Sequence, residues 1–98
     1  MRILDLEGNE IKKIDLGILE AGNSKTYTFV AYNDSYAEVV DLEIKSINNE
    51  VEVKNYPKTL SPQEKSNFDI VWSPSVNIKK ALETVLKISC KELYRPIS

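Results

Sequence analysis

The chain has 98 residues, 42% of them hydrophobic, and its 13 basic and 15 acidic side chains leave a formal net charge of −2. This composition is typical of a soluble globular domain and excludes an intrinsically disordered chain. Acidic residues interrupt the N-terminal stretch MRILDLEGNE, which excludes a signal peptide or a membrane span there. The chain also lacks the basic excess typical of nucleic-acid binding. We therefore predict one domain over residues 1–98, made in the cytoplasm, with neither a nucleic-acid nor a membrane partner.

Seven strands are predicted in chain order, because apolar and polar residues alternate at period two between turn signals. The turn signals are Gly8-Asn9, Gly22-Asn23 and Ser61-Pro62, residue types that adopt or favour turn conformations. Residues 76–86 also contain helix-favouring residues, and a helix there remains an open alternative. The predicted strands are residues 2–6, 11–18, 24–33, 38–47, 50–54, 65–72 and 81–90.

The same alternation divides each strand into an inward and an outward face. In the fourth strand, Val40, Leu42 and Ile44 are predicted to point inward, and Val39 and Asp41 outward. The other predicted core residues are Tyr27, Phe29, Ala31, Phe68, Ile70, Trp72, Leu82, Leu86, Ile88 and Cys90.

Short strands with frequent turns favour an all-β fold, an immunoglobulin-like antiparallel β-sandwich of about seven strands, over a barrel. The single cysteine, Cys90, is predicted to be a small buried apolar residue rather than a reactive thiol. Because proline cannot continue a central strand, residues 92–98, which include Pro96, are predicted to form an extended tail.

Two motifs stand in order along the chain. The first combines IDLG at residues 14–17, AG at 21–22, YTFV at 27–30 and Asn33, and the second combines TLSP at 59–62 with FDIVWSP at 68–74. Together they resemble the two signatures of the ASH (ASPM/SPD-2/hydin) immunoglobulin-like domains, relatives of the major sperm protein fold, over residues 11–90.

The chain departs from that family's pattern at two turns. Gln63 stands where the family usually has glycine, and Ser35-Tyr36 replace a small residue and a glycine. The resemblance implies a non-enzymatic module that binds other proteins or has a structural role in cilia, bacterial surface proteins or viral particles.

The chain has no histidine, so the usual routes to acid–base and nucleophilic catalysis are mostly closed. We predict no catalytic residue, no cofactor and no metal. Asn33-Asp34 with Asp41 could supply oxygen ligands to calcium, although these residue types are also ordinary turn residues. The carboxylates predicted to be solvated are Asp41, Glu43, Glu50, Glu52, Asp69 and Glu83.

Some apolar residues fall on the predicted outward faces and would form a protein interface if they met on one sheet. The first hairpin and the last strand are predicted to be sheet edges, where a partner's strand could pair. The predicted interface residues are Val30, Tyr32, Val39, Val71 and Val85.

These observations favour a non-enzymatic structural or protein-binding module, and within that class an accessory or decoration protein of a bacteriophage particle. Its partner would then be a capsid or tail protein and its final location the virion, with the oligomeric state left open. The alternative is a carbohydrate-binding or adhesion module, which requires an exposed row of aromatic side chains. Those side chains are Trp72, Tyr32, Tyr36, Tyr56 and Tyr94.

Overall fold

The computed structural model describes residues 1–94 and shows eight strands in that part of the chain. It confirms the predicted all-β fold, since every strand pair is antiparallel and no helix occurs among the described residues. None of these residues belongs to a helix that could cross a membrane. The strands are β1 Arg2–Leu4, β2 Ile14–Gly17, β3 Lys25–Tyr32, β4 Glu38–Ser46, β5 Val51–Lys54, β6 Lys65–Trp72, β7 Leu82–Thr84 and β8 Leu86–Leu93.

The strands form one four-stranded sheet, in the order β1-β3-β6-β5, and two strand pairs, β2-β7 and β4-β8. This arrangement is compatible with a β-sandwich in which the two pairs cover the inner face of the larger sheet. The last predicted strand is divided at Val85, where the chain changes its pairing partner from β2 to β4. The helical alternative for residues 76–86 is wrong, because residues 76–81 are irregular and the rest are extended.

The core lies between the inner faces of the sheets. On β6, Phe68, Ile70 and Trp72 are buried as predicted, with exposures of 1% or less. On β3, Ala31 is buried and Phe29 packs against the core, with its ring 6.3 Å from that of Phe68. Leu82, Leu86, Ile88 and Cys90 are half-buried and also pack against the core, which confirms the inward face predicted for the last strand.

A β-bulge in β4 overturns part of the predicted face assignment. Two residues, Asp41 and Leu42, oppose Cys90 of β8, and Asp41 has a φ of +51°. An extra residue in one strand shifts the alternation of side chains by one position. Val39 is therefore fully buried instead of outward, and Val40 is half-buried on the outer face instead of in the core.

Asn33, at the end of β3, joins three segments of the chain through hydrogen bonds. Its fully buried amide donates through Nδ2 to the carbonyl oxygens of Ala37 (2.8 Å), Leu60 (3.2 Å) and Ser61 (3.1 Å). Its Oδ1 accepts from the hydroxyl and backbone N–H of Ser35. This network fixes the turns that carry Tyr36 and Pro62 at one end of the molecule.

Strand β8 extends further than the sequence predicts. Glu92 and Leu93, placed in the predicted tail, pair with Val39 and Glu38 of β4. The rest of the predicted tail beyond Tyr94 lies outside the described residues.

Candidate protein-interaction surfaces

The five predicted interface residues do not come together. Val30, Tyr32 and Val71 lie on the outer face of the four-stranded sheet, where each is half-buried. Val39 is fully buried in the core, and Val85 lies in the other layer, at the break between β7 and β8.

Polar side chains separate the valines that do share the sheet face. Val30 is opposite Asn67 and Val71 is opposite Thr26, so three residues of β6 lie between the two sites. Between them Thr28 Oγ1 donates to the Asp69 carboxylate at 2.7 Å. The outer face of this sheet is therefore mixed in polarity, and the structure assembles no continuous apolar patch from the predicted residues.

Carboxylate pKa values on this surface reflect hydrogen bonding. Donation from Thr28, and also from Asn55 Nδ2 at 3.0 Å, lowers the pKa of Asp69 below its ordinary value of 3.8. Donation from the Met1 ammonium, helped by Arg2, lowers the pKa of Asp34 in the same direction. Both carboxylates are thus held ionised near neutral pH, which suits a structural role.

The residues considered for calcium are engaged with other parts of the protein. Asn33 accepts from Ser35, Asp34 pairs with Met1 and Arg2, and Asp41 is 3.6 Å from Lys91 Nζ. Within residues 1–94, no three Cys, Asp or Glu side chains are grouped in a way that could hold a metal ion.

Trp72 is fully buried, so it cannot stack on a sugar. Of the tyrosines in the proposed aromatic row, Tyr36 and Tyr94 are exposed, whereas Tyr32 and Tyr56 are half-buried with lysine ammonium groups over their rings. The exposed aromatic row on which a carbohydrate site depends is therefore incomplete.

One end of the β4-β8 ladder exposes large apolar side chains that were not predicted from the sequence to form a protein interface. Leu93 is 51% exposed and Tyr94 71%, and Tyr36, two residues before the Glu38 partner of Leu93, is 89% exposed. Exposed apolar groups of this size at one end of a small protein are typical of contact surfaces. The alternation of the last strand, continued to residue 93, would have placed Leu93 on the outer face. This was missed because residues 92–98 were predicted to be a tail.

The sandwich is open along the side where β1 faces β8. A groove of about 220 Å³ lies there, with an apolar floor that includes Ile3, Ile14, Leu86 and Ile88. Three charged residues from β1 and the segment between β1 and β2 also line it: Arg2, Glu10 and Lys12.

The edge of β8 beside this groove is unpaired in the described part of the chain. β4 is the only strand there that pairs with β8, and Ile47 N–H donates to the Val85 carbonyl where that ladder begins. Hydrogen-bonding directions alternate along an antiparallel strand, so Leu86, Ile88, Cys90 and Glu92 direct their N–H and C=O groups away from β4. The prediction that the last strand forms an edge is confirmed.

A second groove, of about 310 Å³, lies on the opposite side between β4 and β5, with Ile44, Val51 and Tyr56 in its lining. Here the flanking lysines are paired with carboxylates: Lys45 with Glu43, and Lys54 with Glu52. The neighbouring edge strand β5 has only four residues. This side offers a shorter backbone edge than β8 and no uncompensated charge from these two lysines.

Comparison of the chain with protein-family models, with curated proteins and with solved structures found no match.

Proposed function

We propose that this chain is a non-enzymatic, immunoglobulin-like structural module that works by binding another protein, and that its partner is a capsid or tail protein of a bacteriophage particle. The observation that carries the protein-binding part is the eight-residue edge strand β8, which is unpaired on one side within the described residues and lies beside an apolar groove. Exposed backbone edges of this length favour pairing with another strand.

The exposed apolar end formed by Tyr36, Leu93 and Tyr94 supports the same class of function. This apolar end lies at the C-terminal end of β8, so one partner could contact both it and the free edge of the strand. The particle as the site of action is supported by the resemblance of the two sequence motifs to the ASH domains.

Capture from a lysate tests this proposal. The purified chain, tagged at its N-terminus, is incubated with a lysate of cells that carry the genome encoding it. The bound proteins are then identified by mass spectrometry. We expect a capsid or tail protein to bind in an amount comparable with the bait. Recovery of chaperones alone would contradict the proposed function.

A further inference from the structure

The rim of the open groove carries more positive than negative charge, although the whole chain has a net charge of −2. Lys12 lines the groove, Lys13 follows it along the chain, and Lys87 lies on β8 itself. Among residues 1–94, none of these three lysines is within ion-pair distance of a carboxylate. The one carboxylate that lines the groove, Glu10, is paired with Arg2 at 3.6 Å.

The two faces of β8 differ in chemistry. Leu86, Ile88 and Cys90 point toward the core, and the first two of them also line the groove. Lys87, Ser89 and Lys91 alternate with them and are exposed on the outer face. A strand added to this edge would place its own side chains alternately beside these two rows, since neighbouring strands in a sheet share their faces.

We propose that the free edge of β8 binds an extended segment of a partner protein in which apolar residues alternate with acidic residues. The apolar side chains of that segment enter the groove over Leu86 and Ile88, and its carboxylates lie beside Lys87 and Lys12, which are unpaired within residues 1–94. Its backbone pairs with the N–H and C=O groups of residues 86, 88, 90 and 92. This inference rests on the proposed protein-binding function and specifies the chemistry of the partner.

Two synthetic eight-residue peptides test the charge requirement. One alternates valine with glutamate and the other valine with lysine, and both have blocked ends. Titration into the ¹⁵N-labelled chain should shift the amide resonances of residues 86–92 with the glutamate peptide, which we expect to bind about tenfold more tightly than the lysine peptide. Equal affinity for both peptides, or resonance shifts confined to another face, would overturn the proposal.

Two pairs of variants test the site itself. Cys90→Pro removes an N–H that points to the free edge, whereas Cys90→Ala keeps it and serves as the control for the lost side chain. We expect the proline variant to lose binding of the glutamate peptide and the alanine variant to retain it. Circular dichroism and thermal melting establish that both variants are folded.

Charge reversal keeps the inference testable if the proline variant does not fold. Lys12→Glu combined with Lys87→Glu changes only exposed side chains and should reverse the preference between the two peptides. Lys79→Glu combined with Lys80→Glu is the matched control, since these lysines are exposed in the loop before β7, and it should leave the preference unchanged. If the variant with Lys12→Glu and Lys87→Glu still prefers the glutamate peptide, the proposal is overturned.

The same variants separate this inference from the proposed function. If the wild-type chain and a folded Cys90→Pro variant capture a capsid or tail protein equally, the proposed function stands and strand addition at β8 is wrong. If the glutamate peptide binds at β8 but only chaperones are captured from the lysate, strand addition stands and the proposed function is wrong.

Discussion

At the scale of single residues, Asn33 shows how one buried amide can fix a turn. Its two polar atoms have five hydrogen-bonding contacts with two neighbouring segments, residues 35–37 and 60–61. An aliphatic replacement would leave buried carbonyl groups with fewer donors, and such groups are costly to bury without partners.

We predict that Asn33→Ala lowers the free energy of unfolding by about 3 kcal/mol. Asn33→Asp should lower it at least as much at neutral pH, because a carboxylate cannot donate to the carbonyls of Ala37, Leu60 and Ser61. Urea denaturation measures both changes. Asn67→Ala, on the exposed outer face of β6, is the control and should change stability by about 0.5 kcal/mol or less.

Asp41 occupies a left-handed backbone conformation in the bulge of β4, with a φ of +51°. Only glycine, and less readily asparagine or aspartate, adopts this conformation without appreciable cost. Gln63, in the turn after Pro62, has a φ of +65°, and its side-chain amide holds this turn through hydrogen bonds with the Tyr32 hydroxyl and the Ser35 carbonyl.

We predict that Asp41→Gly keeps the stability of the protein, whereas Asp41→Val lowers it by about 1–2 kcal/mol relative to the glycine variant. The cause is steric, because a β-branched side chain clashes with the backbone at positive φ. Ser89→Val, at an exposed and regular position of β8, is the matched control and should be neutral or stabilising. Equal stability of Asp41→Val and Asp41→Gly in urea denaturation would contradict this explanation of the bulge.

At the scale of elements, the pairing of β3 with β6 forms the centre of the larger sheet. Eight positions are paired, from Lys25 opposite Trp72 to Tyr32 opposite Lys65. Phe29 and Phe68 are directly opposite on the inner face. Sequence periodicity was sufficient to predict each of these strands and its inner face, because both are regular and one face of each is apolar; it did not predict that they pair with each other.

Phe68→Ala should lower the free energy of unfolding by about 3–5 kcal/mol, since it opens a cavity among residues that are already close-packed. Val71→Ala, on the outer face of the same strand, should cost about 1 kcal/mol or less. Thermal and urea denaturation report both effects. Similar losses for the two variants would contradict the assignment of inner and outer faces.

At the scale of the whole molecule, ionised aspartates contribute to stability. Asp5, Asp34 and Asp69 each have a pKa lowered below 3.8 by hydrogen bonds that favour the charged form. A pKa that is lower in the folded state than in the unfolded state stabilises the fold above the unfolded pKa. That contribution is lost as pH falls through the folded pKa.

We therefore predict that the free energy of unfolding is nearly constant from pH 7 to about pH 5 and falls steadily below about pH 4. Thr28→Val removes the hydrogen bond that lowers the pKa of Asp69 most, so the free energy of unfolding should fall less steeply with decreasing pH in this variant. Thr26→Val, two residues earlier on the same outer face, is the control and should leave the slope unchanged. Urea denaturation at a series of pH values measures the slope, and a free energy of unfolding that stays constant down to pH 3 would contradict the prediction.

Local patterns in the sequence were sufficient to predict the all-β class, the core residues Phe68, Ile70 and Trp72, and the edge position of the last strand. These features follow from period-two alternation and turn residues, which act over a few neighbouring positions. Local patterns did not reveal the change of partner at Val85, because strand pairing depends on contacts between distant parts of the chain.

Which side chains share a surface depends on the tertiary packing of the strands. The bulge at Asp41 moved Val39 into the core, and the distribution of strands between two layers separated Val85 from Val30 and Val71. The open groove, with Lys12 in its lining and Lys87 on β8, likewise combines residues near the start of the chain with residues near its end. A surface of this kind depends on long-range packing, and no local pattern of residues specifies it.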